Sequence, residues 1–244
     1  MASLSLFDNN GEKLAETIKL RERLWKPRHD RMDFWLQAYL LHDIWQDNKP
    51  LGERRFISNE PMTIVDTSHR VLTRYPIQWQ IAIDQYGEAT EEDERLYGQI
   101  ERALYGFIED IDDDLENRGD VIARKHTAYQ GLLRGMSVCK AHVTSKADRP
   151  SNIVYAQYDA RFVLPTWDSM GLSSIICQTP MLLGEVGEEY PDTAFDNANP
   201  AQRVMKVEVW DKTQTGVALI GVGSTGVHWL IPPEKHGAFG LMVR

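Results

Sequence analysis

Cysteine is nearly missing from this chain: two residues, Cys139 and Cys177, in 244, with no C-x-x-C or other metal-ligand spacing between them. Each falls in a stretch that reads as a strand, where a lone cysteine is expected to be a buried small hydrophobe. Such scarcity fits a reducing compartment. A basic excess is also missing. Lys and Arg number 27 against 36 Asp and Glu, a formal net charge of −9. A protein that holds nucleic acid tightly usually carries a basic face, so this balance argues against one, though not against a surface that DNA slides past. No apolar run approaches the ~20 residues a membrane helix needs. The opening Met-Ala-Ser-Leu-Ser-Leu-Phe has no basic region followed by a long apolar core, so no signal peptide is expected. Internal repeats and low-complexity linkers are absent too.

Catalytic signatures are equally thin. The histidines are His29, His42, His69, His126, His142, His228 and His236, and none forms H-x-x-x-H or H-E-x-x-H. There is no G-x-S-x-G elbow. Gly221 to Gly226 matches G-x-G-x-x-G, but Val227-His228-Trp229-Leu230-Ile231-Pro232-Pro233 follows it. A dinucleotide site needs a helix there, so a glycine-rich hairpin turn is expected instead. Asp112-Asp113-Asp114 does not converge on one metal, because consecutive helical carboxylates point in different directions. Arg21, Arg23, Lys26, Arg28, His29 and Arg31 cluster beside Trp25 and Trp35. They read either as a solvated helix face or as a contact for phosphate or an acidic partner. No catalytic, cofactor-binding or metal-binding residue is assigned, and no DNA-binding residue can be identified.

What is present is a foldable pattern. Apolar residues make up 42%, with seven Trp, nine Tyr and seven Phe, too aromatic for a disordered chain. Residues 11–25 read as a helix that Pro27 interrupts. A second helix from about Arg28 carries Met32, Trp35, Leu36, Tyr39, Leu40 and Ile44 at three- and four-residue steps, until Asn48-Lys49-Pro50-Leu51-Gly52 stops it. Its aromatic face suits either a core or a subunit contact. Asn59-Glu60-Pro61 starts a short helix that ends before Tyr75-Pro76. Residues 77–83 alternate as a strand. Thr90 opens the longest helix, with Glu91, Glu92, Asp93 and Glu94 in its first turn and a stripe of Leu96, Ile100, Leu104, Phe107, Ile108, Ile111 and Leu115. A further helix ends at Gly135.

Strands dominate from Met136. Residues 136–144 and 153–158 pair, and a Pro-Trp-Asp corner follows at Pro165–Asp168. The chain then reverses at Ser169-Met170-Gly171, returns as a strand at 173–177, and forms a short helix near 181–189. After a loop at 191–200, Met205, Val207 and Val209 alternate with Lys206, Glu208 and Trp210, and strands at 217–222 and 227–231 complete a meander. The fold class is α+β: a mainly helical region at 1–135 packed on a mainly β, mostly antiparallel region at 136–244, together one domain.

Taken in order, several of these features resemble the portal proteins of tailed double-stranded DNA bacteriophages. The N-terminal helix carries Arg21, Trp25, Arg28, Met32, Trp35 and Tyr39 at similar spacings. Asn59-Glu60-Pro61-Met62-Thr63-Ile64-Val65-Asp66 looks like the family's Asn-x-Pro-x-x-Val helix. Leu132-Leu133-Arg134-Gly135 followed by the strand Met136 to Val143 looks like its leucine-x-Gly step into a strand. Asp159-Ala160-Arg161 with Pro165-Thr166-Trp167-Asp168 looks like its Asp-x-Arg and Pro-x-x-Asp corner. Val207-Glu208-Val209-Trp210-Asp211 and Pro232 to His236-Gly237 look like the strands and turn that follow.

The resemblance implies a structural subunit and not an enzyme: a homo-oligomeric ring, usually about twelve copies, at one capsid vertex of the virion, assembled in the host cytoplasm. Double-stranded DNA would pass non-specifically through its channel during packaging and ejection. The partners would be the major capsid protein, the terminase motor and the tail adaptor, with no membrane and no cofactor. The chain would correspond to the portal wing. The family's stem, clip and crown normally follow, and the sequence ends at Leu241-Met242-Val243-Arg244, so no channel residue carries over. Two other readings stay open: a soluble hydrolase using His126 or His228 with a carboxylate from a scattered position, and another virion connector or adaptor component.

Overall fold

The computed structural model describes residues 6–7, 11–41, 58–75, 90–144, 152–169, 171–191, 193, 199–221 and 226–235. The strand expected at 77–83, the helix stop at 48–52, His42, His236 and the tip of the glycine-rich turn at 222–225 lie outside the described residues. The chain is α+β.

Pro27 does not interrupt the first helix. A single helix, α1, runs Glu12–Tyr39 with Pro27 inside it. Proline lacks the N–H that would bond the carbonyl of Arg23, at a cost of ~3 kcal/mol, but its fixed φ is already helical. Buried Leu14, Ile18 and Met32 hold the helix on both sides of that defect. Packing therefore overrides local propensity.

The chain gathers into two compact units, residues 1–33 with 158–244, and residues 34–157. Helices do give way to strands between Arg134 and Val138, but the units follow a different division from that composition boundary. The start of α1 belongs with the C-terminal sheet.

In the first unit a short 3₁₀ turn, Ala160–Phe162, leads into β3 (Val163–Asp168), then β4 (Gly171–Leu182), α5 (Leu183–Glu189), β5 (Arg203–Asp211), β6 (Gln214–Ile220) and β7 (Val227–Lys235). The five strands form one meander in chain order, and every pair is antiparallel. β3 and β4 reverse at Asp168↔Gly171, the expected corner. Because β7 follows β6 as its antiparallel neighbour, the glycine-rich segment connects two strands and opens no helix. Alternation along the strands separates two apolar faces. Leu14 and Ile18 of α1 pack with Leu164, Ile176, Val207, Val209 and Ala218 on one. Leu183 and Val186 of α5 pack with Val204 and Leu219 on the other.

In the second unit α2 (Glu60–Thr73) and α4 (Ala123–Arg134) pack together, with α3 (Glu91–Asn117) against α4 and a two-stranded sheet of β1 (Val138–Thr144) and β2 (Asn152–Tyr158). Thr90 caps α3 reciprocally with Asp93, which holds the Asp93 carboxyl below its ordinary range. Gly135 ends α4 in the left-handed region at φ 68°, its N–H donating to Gly131 O at 3.0 Å. Among the described residues it is the C-terminal part of the α3 stripe that is covered: Ile111 and Leu115 pack with Tyr155, Phe107 and Ala123. Cys177 is buried as expected, whereas Cys139 is exposed. A two-stranded sheet leaves room for outward-facing positions that a strand pattern alone does not distinguish.

Candidate functional site

The basic run on α1 divides three ways once the helix is seated. Arg21 turns inward, Nη1 donating to Leu164 O at 3.1 Å and Nη2 to Ser174 Oγ at 2.7 Å. Burial lowers its pKa to about 10. Trp25 donates Nε1–H to Pro165 O at 3.1 Å, and its ring lies 5.8 Å from that of Trp167. These two side chains rivet α1 to the edge strand of the meander. Arg28 sits over the outer face of Trp25, 5.1 Å from the ring centroid.

Arg23, Lys26 and His29 line a cleft of about 530 Å³ between α1, the 3₁₀ turn and the sheet, while Arg31 stays exposed outside it. Lys19, Glu22, Arg23, Lys26, His29, Asp30 and Asp33 come from α1, Arg161 and Phe162 from the turn, Gln178 from β4 and Met205 from β5. Lys26 pairs with Asp30 at 3.2 Å and Arg161 with Asp33 at 3.3 Å, while Gln178 donates to Glu22 at 3.0 Å. These are partly exposed pairs, each worth at most ~1 kcal/mol. Four cations against three carboxylates leave the wall weakly positive, and no serine or cysteine faces His29 among the lining residues. Such a wall suits a polar or acidic partner, and it presents no nucleophile with its base.

His29 is half-buried in the cleft wall. Burial lowers its pKa below 6.5, with the Val163 carbonyl and Asp33 pulling it back up, Arg161 pushing it down and Asp159 raising it again. The unfolded chain therefore takes up this proton at a higher pH than the folded one. It follows that His29 contributes a loss of stability as pH falls through 6.5 toward the folded value, and none above 6.5. The expected result is that His29→Gln narrows the gap between urea midpoints at pH 7.5 and pH ~5.5. An unchanged gap would remove His29 from the acid response.

The other candidates sit on separate elements. His126 lies on α4 with its Nε2 3.4 Å from Gln130 Nε2, while His228 lies on β7 opposite Leu219, in the other unit. His69 Nε2 is 3.0 Å from Lys125 O. Asp112 accepts from the Ala123 N–H at 2.9 Å and so caps α4, and Asp114 pairs with Arg118 at 3.1 Å. Among the described residues no three His, Cys, Asp or Glu side chains gather closely enough to hold a metal ion.

A polar cluster beneath α5 escaped the pattern reading. Lys206 and Glu208 sit on the polar half of a clean alternation, which suggests solvent. Instead Lys206 Nζ meets both oxygens of Glu189 at 2.9 Å, and Tyr158 donates to Glu208 at 3.0 Å. Burial, then Glu208, raises the Tyr158 pKa far above its ordinary value. A buried position for Lys206 was legible only through the acidic helix that follows β4.

Apolar side chains also remain at the surface. Leu20 and Leu24 on α1 are 51% and 70% exposed, and Leu96, Ile100 and Leu104 on α3 are 51%, 40% and 40% exposed. In the second unit a separate apolar groove of about 370 Å³ is lined by Trp35, Tyr39, Pro61, Ile64, Val65 and Leu133. No described helix is long and apolar enough to cross a membrane. No protein-family model matches this chain, and no curated protein matches it.

Proposed function

We propose that this chain is a structural subunit of a phage portal ring at a capsid vertex, part of the conduit for DNA packaging and ejection and of the attachment point for the packaging motor and tail. The observation that carries the reading is the regular apolar stripe left open on α3, Leu96, Ile100 and Leu104 at four-residue steps. Single exposed apolar residues are ordinary, but an ordered row on a well-capped helix marks an interaction surface. The order of motifs from Arg21 to Asp211 and the negative net charge support the same reading, since an acidic subunit does not grip the phosphates that move past it. Its place in the chain would be the wing, with about twelve copies in the ring. The capsid protein, the terminase motor and a tail adaptor are its neighbours in this reading.

The test is the mass of the purified protein. Sedimentation velocity and negative-stain imaging are expected to show closed rings of many copies, with no change when nucleic acid is omitted. A well-folded 28.0 kDa particle at tens of micromolar would end the proposal.

A further inference from the structure

We infer that the contact between neighbouring copies is heterologous, the acidic apolar stripe of α3 in one copy seating on the basic apolar stripe of α1 in the next. This rests on the ring reading and specifies the surfaces that would build it. α3 carries eleven carboxylates and two arginines, and its open stripe is bordered by exposed Glu92 and Asp110. These two are eighteen residues apart, five full helical turns, so they mark one edge of the stripe. α1 presents the complement. Leu20, Leu24 and Arg28 fall on one line at four-residue steps, and Arg31 lies two turns beyond Leu24 on the same exposed side.

Charge decides the pairing. Two α3 stripes facing each other would set carboxylates against carboxylates, and two α1 stripes would set arginines against arginines. Only the crossed arrangement buries both apolar rows while placing Arg28 and Arg31, about 4.5 Å apart along α1, against one end of that acidic edge, Glu92 when the helices run antiparallel or Asp110 when they run parallel. A contact between two different patches propagates from copy to copy and closes into a ring when the rotation permits, whereas a self-complementary patch stops at a dimer. The contact therefore supplies the geometry that the proposed function needs.

The experiment is a charge swap on the full chain, read by sedimentation velocity, with circular dichroism as the control for folding. Arg28→Glu/Arg31→Glu and Glu92→Lys/Asp110→Lys are each expected to weaken assembly at least tenfold. The chain carrying all four changes is expected to assemble again. A second measurement uses a Cys139→Ser background, which removes the exposed native thiol. Leu24→Cys copies mixed with Ile100→Cys copies should form a crosslinked dimer under oxidation, and neither should do so alone. If the wild-type chain is a single-copy particle, the ring reading and this inference both fall. If the wild type assembles but both reversed variants assemble equally well and the mixed copies do not crosslink, the ring reading stands and this inference falls. Crosslinking only within a chain that carries both cysteines would also overturn it, because the two stripes would then meet inside one copy.

Discussion

Ile176→Ala is expected to destabilise the first unit by about 4 kcal/mol, near the top of the ~2–5 kcal/mol range for a buried isoleucine. Ile176 is fully buried, opposite Leu164 on β3 and Val209 on β5, with Leu14 and Ile18 of α1 in the same cluster. The cost depends on whether the neighbours can close the space. Here Leu164 and Val209 are fixed by backbone pairing on both sides, so the cavity stays open. Urea denaturation should place Ile176→Val about 1 kcal/mol below wild type. Leu24→Ala, on the open face of α1, should change monomer stability by less than ~0.5 kcal/mol. A small loss for Ile176→Ala would mean that α1 does not cover this face of the sheet.

Lys206→Ala is the second large effect, about 3 kcal/mol, at the lower end of the range for breaking a buried ion pair. The Lys206 and Glu208 side chains are 10% and 12% exposed, while Glu189 is 42% exposed. Water therefore still reaches Glu189, and its loss of a partner costs little. Glu208 is the sensitive group. Removing the ammonium takes away a cation 3.9 Å from this carboxylate beneath α5, which still accepts from the Tyr158 hydroxyl. The double variant Lys206→Met/Glu208→Gln keeps the lysine stem's packing and an acceptor for Tyr158, so it should recover most of the loss. Urea midpoints for the two variants separate the explanations. Equal destabilisation would assign the effect to packing instead of charge.

Local chemistry made much of this fold legible. Thr90 with its acidic first turn, Gly135 at a left-handed cap, and the corner at Asp168 each need one residue type at one backbone position. The misses share a different cause. Pro27 breaks isolated helices, but here burial on both sides outweighs one lost hydrogen bond. Lys206 lies on the polar side of a strand that a helix from elsewhere covers. Arg21 is chemically indistinguishable from Arg23 and Arg28, and only the Leu164 carbonyl and the Ser174 hydroxyl, more than a hundred residues away, set it apart. The site was therefore less legible than the fold. Its cleft depends on the 3₁₀ turn bringing Arg161 to Asp33, and its proposed docking stripes depend on what the rest of the chain leaves uncovered.

The order in which a ribosome delivers this chain gives the nested units a further meaning. Leu14 and Ile18 emerge before any strand of the sheet they cover, and residues 34–157 are complete while that sheet is still unmade. The middle unit can condense first, but the leading helix waits with its greasy side unmet until the final strands arrive. Throughout that interval the nascent chain offers holdase chaperones a binding stretch, and premature release would favour clumping over ordered growth.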